Sequence, residues 1–352
     1  MKKKIIFVNK AQYGYHSDTY YYCKYLKDKY DVTYLGFDAG HDKVEGDIRV
    51  IYVQRGGSKF VNAYRFFANT LLTLRKNSFE KIVLVYFPFC SIFSFFYKDR
   101  AVCDVRTLSV SANKYIRRFF DGLMRLELKF FKEVSVISEG VKKKLNLKNS
   151  VILPLGAEVF TDLNRDGYKK NDVLRLFYIG TFNGRRIIDT IKAASYLHQN
   201  GVSLVYDIVG FGDNNEIDVI INEISKLPDG VVRYHGRLSH VECKNLFSES
   251  HVGFCYYPIV DFYQEQPPTK LFEYVLNGIY CIAVNTKENC KHITSTNGCI
   301  VDDNVNSLIL ALEMVLDKNT LDRVAISKTL SSNTWEYIVE NQLKPILKGF
   351  HE

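Results

Sequence analysis

The stretch LRLFYIGTFNGRRIIDTIKAASYLHQNGVSLVYDIVG, residues 174–210, decides the fold class of this chain. An apolar run at 174–180 is followed by a glycine turn, then by helical spacing over 186–199, then by a second apolar run at 204–210. Strands that are apolar along their whole length are typical of parallel sheets covered by helices on both faces. The segment therefore predicts a strand–helix–strand unit of an α/β domain.

The same alternation extends from this unit in both directions along the chain. Further strands are predicted at 5–9, 31–37, 47–53, 81–87, 101–106, 134–138 and 151–155, and at 231–236, 252–257, 280–285 and 298–302. Residues 161–173 are polar and lack periodicity, so we place a linker there. Open parallel sheets bind ligands beyond the carboxyl ends of their strands, so two sheets in series predict a cleft that holds two substrates.

Length and composition agree with two globular domains. The chain has 352 residues, of which 47% are hydrophobic and 24% charged, and this excludes the disordered and collagen-like classes. Its eight cysteines lack metal-binding spacing and lie mostly in apolar runs such as 253–257. The chain turns polar soon after its first apolar run, so we expect no secretory signal and a reduced, cytoplasmic setting.

The net charge of +8 is distributed unevenly along the chain. Residues 1–160 contain 28 Lys and Arg against 15 Asp and Glu, whereas residues 161–352 contain 19 against 24. A basic half favours an anionic partner, either nucleic acid or an acidic membrane surface; an ordinary solvated surface is the alternative. No nucleic-acid-binding motif accompanies the basic half, so we expect no nucleic-acid partner.

Two apolar segments of the basic half bear on membrane contact. Residues 82–97 are too short for a membrane span, which needs about 20 residues, so we predict a strand followed by a helix. Residues 114–132 mix Arg and Lys with Phe and Leu, which fits a helix in an anionic membrane interface and equally an amphipathic helix over a core. The basic residues that would contact lipid are Lys114, Arg117, Arg118, Arg125, Lys129 and Lys132.

The segment EQPPTKLFE, residues 265–273, carries the strongest chemical signal. Two prolines precede an apolar helical run, and proline is favoured in the first turn of a helix. We predict a helix from Thr269 whose free N–H groups, positive dipole end and Lys270 ammonium bind a phosphate or diphosphate. Glu273 would accept ribose hydroxyls, and Glu265 would accept those of a sugar. The alternative is a proline-capped surface helix with two solvated acids.

Other strand-end loops add to this signal. YIGTFNGRR places a glycine turn before Arg185 and Arg186, whose guanidinium groups could clamp the same diphosphate. DIVGFGDN supplies Gly210, and YHGRLSH supplies Arg237, which could meet a base. An ordinary turn with exposed arginines is the alternative reading of the first loop.

Together these segments resemble the donor-binding domain of the GT-B nucleotide-sugar glycosyltransferases, particularly the retaining enzymes of family 4. The resemblance covers residues 174–303, and NTWEYIVENQLKPIL resembles the family's last helix, which crosses back onto the N-terminal domain. It implies an α/β fold of two Rossmann-like, doubly wound domains that face a cleft. The implied domains are 1–165 for the acceptor, 166–330 for the donor and 331–352 for the returning helix.

The resemblance also implies roles for single residues. It assigns the ribose to Glu273 and the donor sugar to Glu265, and it leaves open whether Arg185 or Arg186 binds phosphate. The implied catalytic residues are Glu265, Lys270 and Arg186. The implied donor-binding residues are Gly180, Thr181, Arg185, Arg186, Gly210, Arg237, Leu238, Glu265, Thr269, Lys270, Leu271 and Glu273. Residues 266–269 replace a glycine-rich stretch of many members, so the donor sugar is not carried over.

The N-terminal half matches the family more loosely, as an acceptor domain. NKAQYGYHSDTY stands where the family has a glycine loop, which makes Gly14 and His16 acceptor-side candidates. CDVRTLSVS resembles a strand end that faces the reaction centre, which adds Asp104 and Arg106. The alternatives are a solvated loop histidine and a structural ion pair.

The chain is thus predicted to be a glycosyltransferase of cell-surface polysaccharide biosynthesis, peripheral on the inner face of the cytoplasmic membrane. It would move a sugar from UDP- or GDP-sugar to a saccharide or lipid-linked saccharide, with retention implied by the resemblance alone. No Asp-x-Asp triplet occurs in the chain, and cations can stabilise a leaving diphosphate, so we expect neither metal nor cofactor. The alternatives are a GT-B-fold epimerase or phosphorylase and a non-catalytic nucleotide-sugar binding module.

Overall fold

The structure, a computed structural model, describes residues 2–111 and 113–349. The chain forms two compact units, one of Met1–Leu155 with Trp335–Glu352 and one of Gly156–Thr334. Each unit is built on one parallel sheet. The doubly wound α/β fold predicted from the sequence is confirmed.

The first unit contains seven strands. They are β1 (Lys3–Val8), β2 (Tyr30–Asp38), β3 (Arg49–Gln54), β4 (Lys81–Val85), β5 (Ala101–Val105), β6 (Glu133–Val136) and β7 (Val151–Ile152). Their order across the sheet is β3-β2-β1-β4-β5-β6-β7. Every residue of the β4 run KIVLV is buried, as expected for a central strand that has helices on both sides.

Five helices connect these strands. They are α1 (Ser17–Leu26), α2 (Lys59–Lys76), α3 (Ser91–Tyr97), α4 (Lys114–Leu128) and α5 (Glu139–Lys144). The chain crosses the sheet in one direction from β1 to β2 and in the other from β3 onward, so right-handed crossovers put α1 on one face and α2–α5 on the opposite face. The predicted strand followed by a helix at 82–97 is confirmed by β4 and α3. Within the two described ranges, no helix combines the length and hydropathy that a membrane span requires.

The second unit contains six parallel strands. They are β8 (Leu174–Thr181), β9 (Leu204–Phe211), β10 (Val232–Tyr234), β11 (Val252–Cys255), β12 (Tyr280–Val284) and β13 (Gly298–Val301), in the order β10-β9-β8-β11-β12-β13. Its helices are α6 (Ile187–Gln199), α7 (Asn214–Ile224), α8 (His240–Glu249), α9 (Thr269–Leu276), α10 (Asn289–His292), α11 (Val305–Leu316) and α12 (Arg323–Lys328). The strand order reverses between β8 and β11, and ligands of open α/β sheets bind at such a point.

The polar segment after the first unit is attached to the second unit. The fully buried side chain of Asn277, at the end of α9, accepts hydrogen bonds from the backbone N–H groups of Phe160 and Thr161 at 3.0 and 3.2 Å. These bonds hold the segment against α9. The chain therefore divides after Leu155, and residues 161–173 belong to the second unit rather than forming a linker between units.

The C-terminal segment returns to the first unit. It comprises α13 (Trp335–Ile338), a π-helical turn (Val339–Leu343) and α14 (Lys344–Lys348). Trp335 stacks on Tyr21 with ring centroids 5.5 Å apart and meets Tyr22 edge-on at 5.8 Å. The predicted returning helix is confirmed by this packing, and it begins at Trp335 rather than at residue 331.

Candidate functional site

The predicted donor-binding residues lie at the carboxyl ends of β8, β9, β10 and β11, around the reversal of strand order. The contributing segments are the turn after β8, the end of β9, the loop after β10, the loop from β11 to α9 and the first turns of α9. Crossover helices start at this edge, so their N-terminal N–H groups lie beside the strand-end side chains. A polar crevice at this position suits an anionic ligand.

Two glycines allow the strand ends to pack closely. Gly180 and Gly210 pair in register and have φ angles of 140° and 152°. A Cβ atom on Gly210 would lie 1.9 Å from the carbonyl oxygen of Gly180, and one on Gly180 would lie 2.5 Å from the Nζ atom of Lys270. Both positions therefore require glycine, and the Lys270 ammonium packs directly against the end of β8.

Lys270 is a cation that forms no ion pair within the described ranges. Its ammonium lies 5.3 Å from the ring centroid of Tyr178, and no hydrogen bond or ion pair joins its side chain to another residue that the structure describes. Burial lowers the pKa of this ammonium and the positive charge of Arg185 lowers it further, while the negative charge of Glu273 partly opposes them. An anion placed beside Lys270 would offset the two lowering effects.

Arg185 is the second such cation. Its guanidinium lies 5.5 Å from the ring centroid of Tyr257 and 5.1 Å from that of Tyr263, and its buried Nε atom has no hydrogen-bond partner in the structure. Arg185 and Lys270 share the lining of a cavity of about 170 Å³ with both tyrosines. The sequence reasoning missed the tyrosines; the aromatic residues of CYYP and DFYQ, between β11 and α9, were the available signal.

Arg186 is engaged elsewhere. It has a left-handed backbone, with φ of 52°, and its guanidinium pairs with Asp189 at 2.7 Å and Asp303 at 3.5 Å. It also donates to the carbonyl of Asp303 at 2.6 Å. Both acids therefore already neutralise the side chain that the sequence grouped with the catalytic residues. The structure thus separates two adjacent arginines that the sequence could not distinguish.

The start of α9 provides the third element of the crevice. Pro268 occupies the N-cap, and no side chain of the described residues caps the helix, so the N–H groups of its first turn, at Thr269, Lys270 and Leu271, are left without an intrahelical partner. Pro268, Thr269 and Lys270 line the cavity. Glu273 lies one turn further on and is half-buried, and no other described side chain or backbone N–H donates to its carboxylate. The crevice thus combines the cations Arg185 and Lys270, the uncapped N–H groups at the start of α9, and the carboxylate of Glu273 one turn along that helix.

Glu265 precedes this helix and is buried. Only 8% of the residue is exposed, and its carboxylate Oε1 atom lies 3.1 Å from the ammonium of Lys287, which is itself largely in solvent. At the far end of the crevice, the Arg237 guanidinium lies 4.7 Å from the ring of Phe211, and Leu238 is half-buried. Thr181 is exposed at the tip of β8.

The acceptor-side candidates His16 and Gly14 of the first unit lie in the loop before α1 and have local structural roles. His16 caps α1 and accepts from the N–H of Thr19 at 3.5 Å, and burial lowers the pKa of its imidazole. Gly14 has a φ of 91°, and a Cβ there would lie 2.3 Å from Val44. Gly14 is therefore required by the backbone conformation of the loop before α1 and by its close approach to Val44.

Asp104 and Arg106 lie inside the first unit. Arg106 donates from Nε to a carboxylate oxygen of Asp18 and from a terminal nitrogen to the carbonyl of Leu153 at 2.6 Å. Asp104 accepts from Ser135 at 2.8 Å, and burial raises the pKa of its carboxyl. Both side chains are at most 4% exposed. They therefore form the structural ion pair that the sequence analysis gave as the alternative to an acceptor site.

One further cation at the edge of the first sheet was not predicted. Lys10 is the second residue after β1, and its ammonium lies 5.2 Å from the ring centroid of Phe87, the second residue after β4. β1 and β4 flank the reversal of strand order in this sheet, so Lys10 occupies the position equivalent to the crevice of the second unit. Burial lowers the pKa of its ammonium. Its place right after the first strand was the signal in the sequence.

Comparison with known proteins gives the same fold. No protein-family model matches the chain, and no curated protein matches it. Solved structures do match it over nearly the whole length. A sucrose-phosphate synthase from Thermosynechococcus elongatus is 16% identical with a TM-score of 0.77, each chain being covered to 99%.

Two further structures agree. A glycosyltransferase from Rickettsia africae is 15% identical with a TM-score of 0.74, and 99% of each chain is covered. HepE from Anabaena, in complex with UDP and glucose, is 12% identical with a TM-score of 0.72, covering 98% of this chain and 100% of that one. At these identities the likeness concerns the fold, and the chain has the GT-B architecture of two Rossmann-like units that its sequence predicted.

Proposed function

We propose that the chain is a glycosyltransferase that moves a sugar from a nucleotide-diphosphate donor, a UDP- or GDP-sugar, to a saccharide or lipid-linked saccharide. One observation carries the proposal. Arg185 and Lys270, whose side chains form no ion pair within the part of the chain that the structure describes, line one cavity at the reversal of strand order, next to the uncapped start of α9. Two adjacent cations repel each other, and a diphosphate is the ligand that supplies matching charge.

The leaving group would be stabilised by these groups. In the transfer, the oxygen of an acceptor hydroxyl bonds to the anomeric carbon as the bond between that carbon and the phosphate oxygen breaks. The electron pair of the broken bond stays on the diphosphate as extra negative charge, and the departing phosphate takes the proton of the acceptor hydroxyl. Lys270, Arg185 and the N–H groups of α9 interact more strongly with this charge than with the ground state, which lowers the barrier. The ion pairs of Arg186 support assigning it the role of fixing the turn that carries Arg185.

The two glutamates would recognise the rest of the donor. The carboxylate of Glu273 is half-buried and accepts no hydrogen bond from any residue that the structure describes, so it suits a pair of ribose hydroxyls. Glu265, buried beside Lys287, suits sugar hydroxyls that reach into the loop before α9. Arg237 and Leu238 would flank the base.

The comparisons support a sugar-nucleotide donor and a surface-polysaccharide pathway. HepE was solved with UDP-glucose, and WaaG is described as involved in lipopolysaccharide biosynthesis. By analogy, the acceptor of this chain would be a saccharide or lipid-linked saccharide at the inner face of the cytoplasmic membrane. Retention at the anomeric carbon and independence of a metal are part of the proposal, since the cations of the chain supply the leaving-group charge.

The first test is a thermal-shift panel of UDP, GDP, ADP and CMP. We expect UDP or GDP to raise the melting temperature of the wild type, and Lys270→Met and Arg185→Gln to reduce that rise strongly. Lys192→Met is the matched control, because Lys192 is an exposed lysine on α6. Equal nucleotide shifts in all four proteins would contradict the assignment of the site.

The second test measures turnover. We expect nucleoside diphosphate to be released from the matching sugar nucleotide when a saccharide acceptor is present, with EDTA having little effect. The anomeric configuration of the product, read by NMR, tests retention. Nucleotide binding without turnover on any acceptor would instead indicate a binding module, and turnover of donor without acceptor would indicate an epimerase.

A further inference from the structure

One side of the first unit is a layer of three helices, α2, α3 and α4, which we call the three-helix face. Phe67 of α2 stacks on Phe93 of α3 with ring centroids 5.4 Å apart. The hydroxyl of Ser91, in α3, donates to buried Glu127, in α4, at 2.9 Å. The three helices therefore form one continuous layer, on the opposite side of the sheet from α1.

The outward side of this layer is unusually aromatic. Large apolar side chains stand in solvent on all three helices. The most exposed, with their exposed fractions, are Phe60 (87%), Tyr64 (74%), Tyr115 (68%), Phe119 (67%), Phe95 (66%) and Phe96 (63%). Single exposed aromatics are ordinary, but a set gathered on one layer marks an interaction surface.

The charges on the same helices have one sign. The three helices contain eight Lys and Arg residues against two acids, Asp121 and Glu127. Glu127 is buried and accepts hydrogen bonds from Tyr86 and Ser91, and Asp121 accepts from the N–H of Ser109. The surface that remains for a partner is therefore apolar and cationic.

We propose that the three-helix face docks onto an anionic lipid bilayer, with its aromatic side chains inserted at the level of the headgroups. Aromatic rings beside Lys and Arg are the composition that binds such interfaces. A second copy of the chain would bring like charges together, which disfavours self-association through this face. The sequence pointed to α4 alone; the structure adds α2 and α3.

The location of the three-helix face determines which edge of the first sheet would lie next to the lipid. Helices of a parallel α/β sheet begin at its carboxyl edge, so the first turns of α2 and α4, with Phe60 and Tyr115, lie at that edge, and Phe119 follows in the second turn of α4. The loop of His16 lies at the same edge. If the proposed transfer to a lipid-linked acceptor holds, the docked face keeps the acceptor side of the first unit next to the lipid; the docking itself does not depend on it.

Vesicle co-sedimentation tests the docking. The wild type should bind vesicles of phosphatidylglycerol with phosphatidylcholine and not vesicles of phosphatidylcholine alone. The affinity of the triple variant Phe60→Ser, Phe95→Ser, Phe119→Ser for anionic vesicles should fall by about tenfold or more. This loss should persist at low salt, because the aromatic groups that insert into the bilayer are removed. Arg118→Gln with Arg125→Gln should also weaken binding, mainly as salt rises.

The matched control is Val219→Ser with Ile221→Ser, two exposed apolar residues of α7 in the second unit. It should bind vesicles as the wild type does. Insertion has its own signal: Phe119→Trp should show a blue-shifted emission that brominated lipids quench, whereas native Trp335, 1% exposed, adds a constant background.

The outcomes separate the possible occupants. Absent binding to anionic vesicles, or equal binding by the triple variant, overturns the proposal. A solution dimer that the triple variant converts to monomer, with vesicle binding unchanged, overturns it in favour of a second copy. The UDP or GDP thermal shift of the triple variant should equal that of the wild type, so loss of docking is distinguished from failure of the proposed donor site.

Discussion

The carboxyl edges of the two sheets share a topology and differ in how their charges are neutralised. In the first unit, Arg106 is buried and bound to Asp18 and a backbone carbonyl. In the second, Arg185 and Lys270 face a cavity, lie beside aromatic rings and form no ion pair with any described residue. A buried charge that the chain itself pairs is part of the scaffold, whereas one that the chain leaves unpaired is prepared for a ligand.

Removing Arg106, the paired cation of the first unit, should have the largest effect on stability. Arg106→Met should lower the free energy of unfolding by about 3–5 kcal/mol, because it leaves the carboxylate of Asp18 buried and unpaired. Urea denaturation measures this. The double variant Arg106→Met, Asp18→Asn should recover part of the loss, and an equally large destabilisation by Arg185→Met would erase the distinction between the two edges.

Lys270 should behave in the opposite way. Lys270→Met should reduce turnover by about 10²–10³-fold, since the ammonium acts on charge that develops on the leaving diphosphate. The free energy of unfolding should stay the same or rise, because a desolvated cation beside Arg185 is removed. Steady-state kinetics and urea denaturation together check this, with Lys192→Met as control. Unchanged turnover with lost stability would make Lys270 a scaffold residue.

Away from the crevice, the second unit also contains a buried titratable group, His251, that should affect stability rather than ligand binding. Burial, with nearby Arg323 and Arg175, lowers the pKa of His251 from 6.5 to about 4. Between pH 6.5 and 4, His251 therefore stays neutral in the native state but is protonated in the unfolded chain. The contribution of this group to the free energy of unfolding is fully present above pH 6.5 and is lost as the pH falls towards 4. The loss should be about 2–3 kcal/mol.

Urea midpoints at neutral and acid pH measure that loss. His251→Asn should flatten the dependence over this window, while His41→Asn, at an exposed histidine of the first unit, should leave it as in the wild type. A variant at His251 with an unchanged pH profile would show that the imidazole is not held neutral by its surroundings.

The smallest expected effect concerns Glu273. Glu273→Gln should weaken nucleotide binding by about 1–3 kcal/mol, the range for hydrogen bonds to a charged group. Isothermal titration calorimetry with UDP and GDP measures it. Equal affinities in two folded proteins would remove Glu273 from the donor site and leave the crevice defined by its cations alone.

The sequence predicted the scaffold of the crevice closely because its signals are local. The apolar runs 174–180 and 204–210 became β8 and β9, and the intervening periodicity became α6 within a residue at its start. Apolar strands and glycine turns depend on neighbours in the chain, so a single sequence displays them.

The rest depends on partners that are distant in sequence. Arg186 is distinguished from Arg185 by Asp303, which is 117 residues away, and no local pattern reveals that pairing. The stacking of Arg185 on Tyr257 and Tyr263 likewise needs the loop after β11 to fold over the turn after β8. Residues 161–173 are polar as a linker would be, and their attachment to the second unit depends on distant partners such as the buried amide of Asn277, which accepts from the backbone of Phe160 and Thr161.

The packing of Trp335 on α1 has a consequence for the order in which the two units can be completed. The second unit is one continuous stretch of chain, whereas the first unit is interrupted by it. Tyr21 and Tyr22 pack on a tryptophan that is translated only after the whole of the second unit. The first unit therefore cannot be completed before the second has been synthesised, and its aromatic surface on α1 stays uncovered in the nascent chain until then.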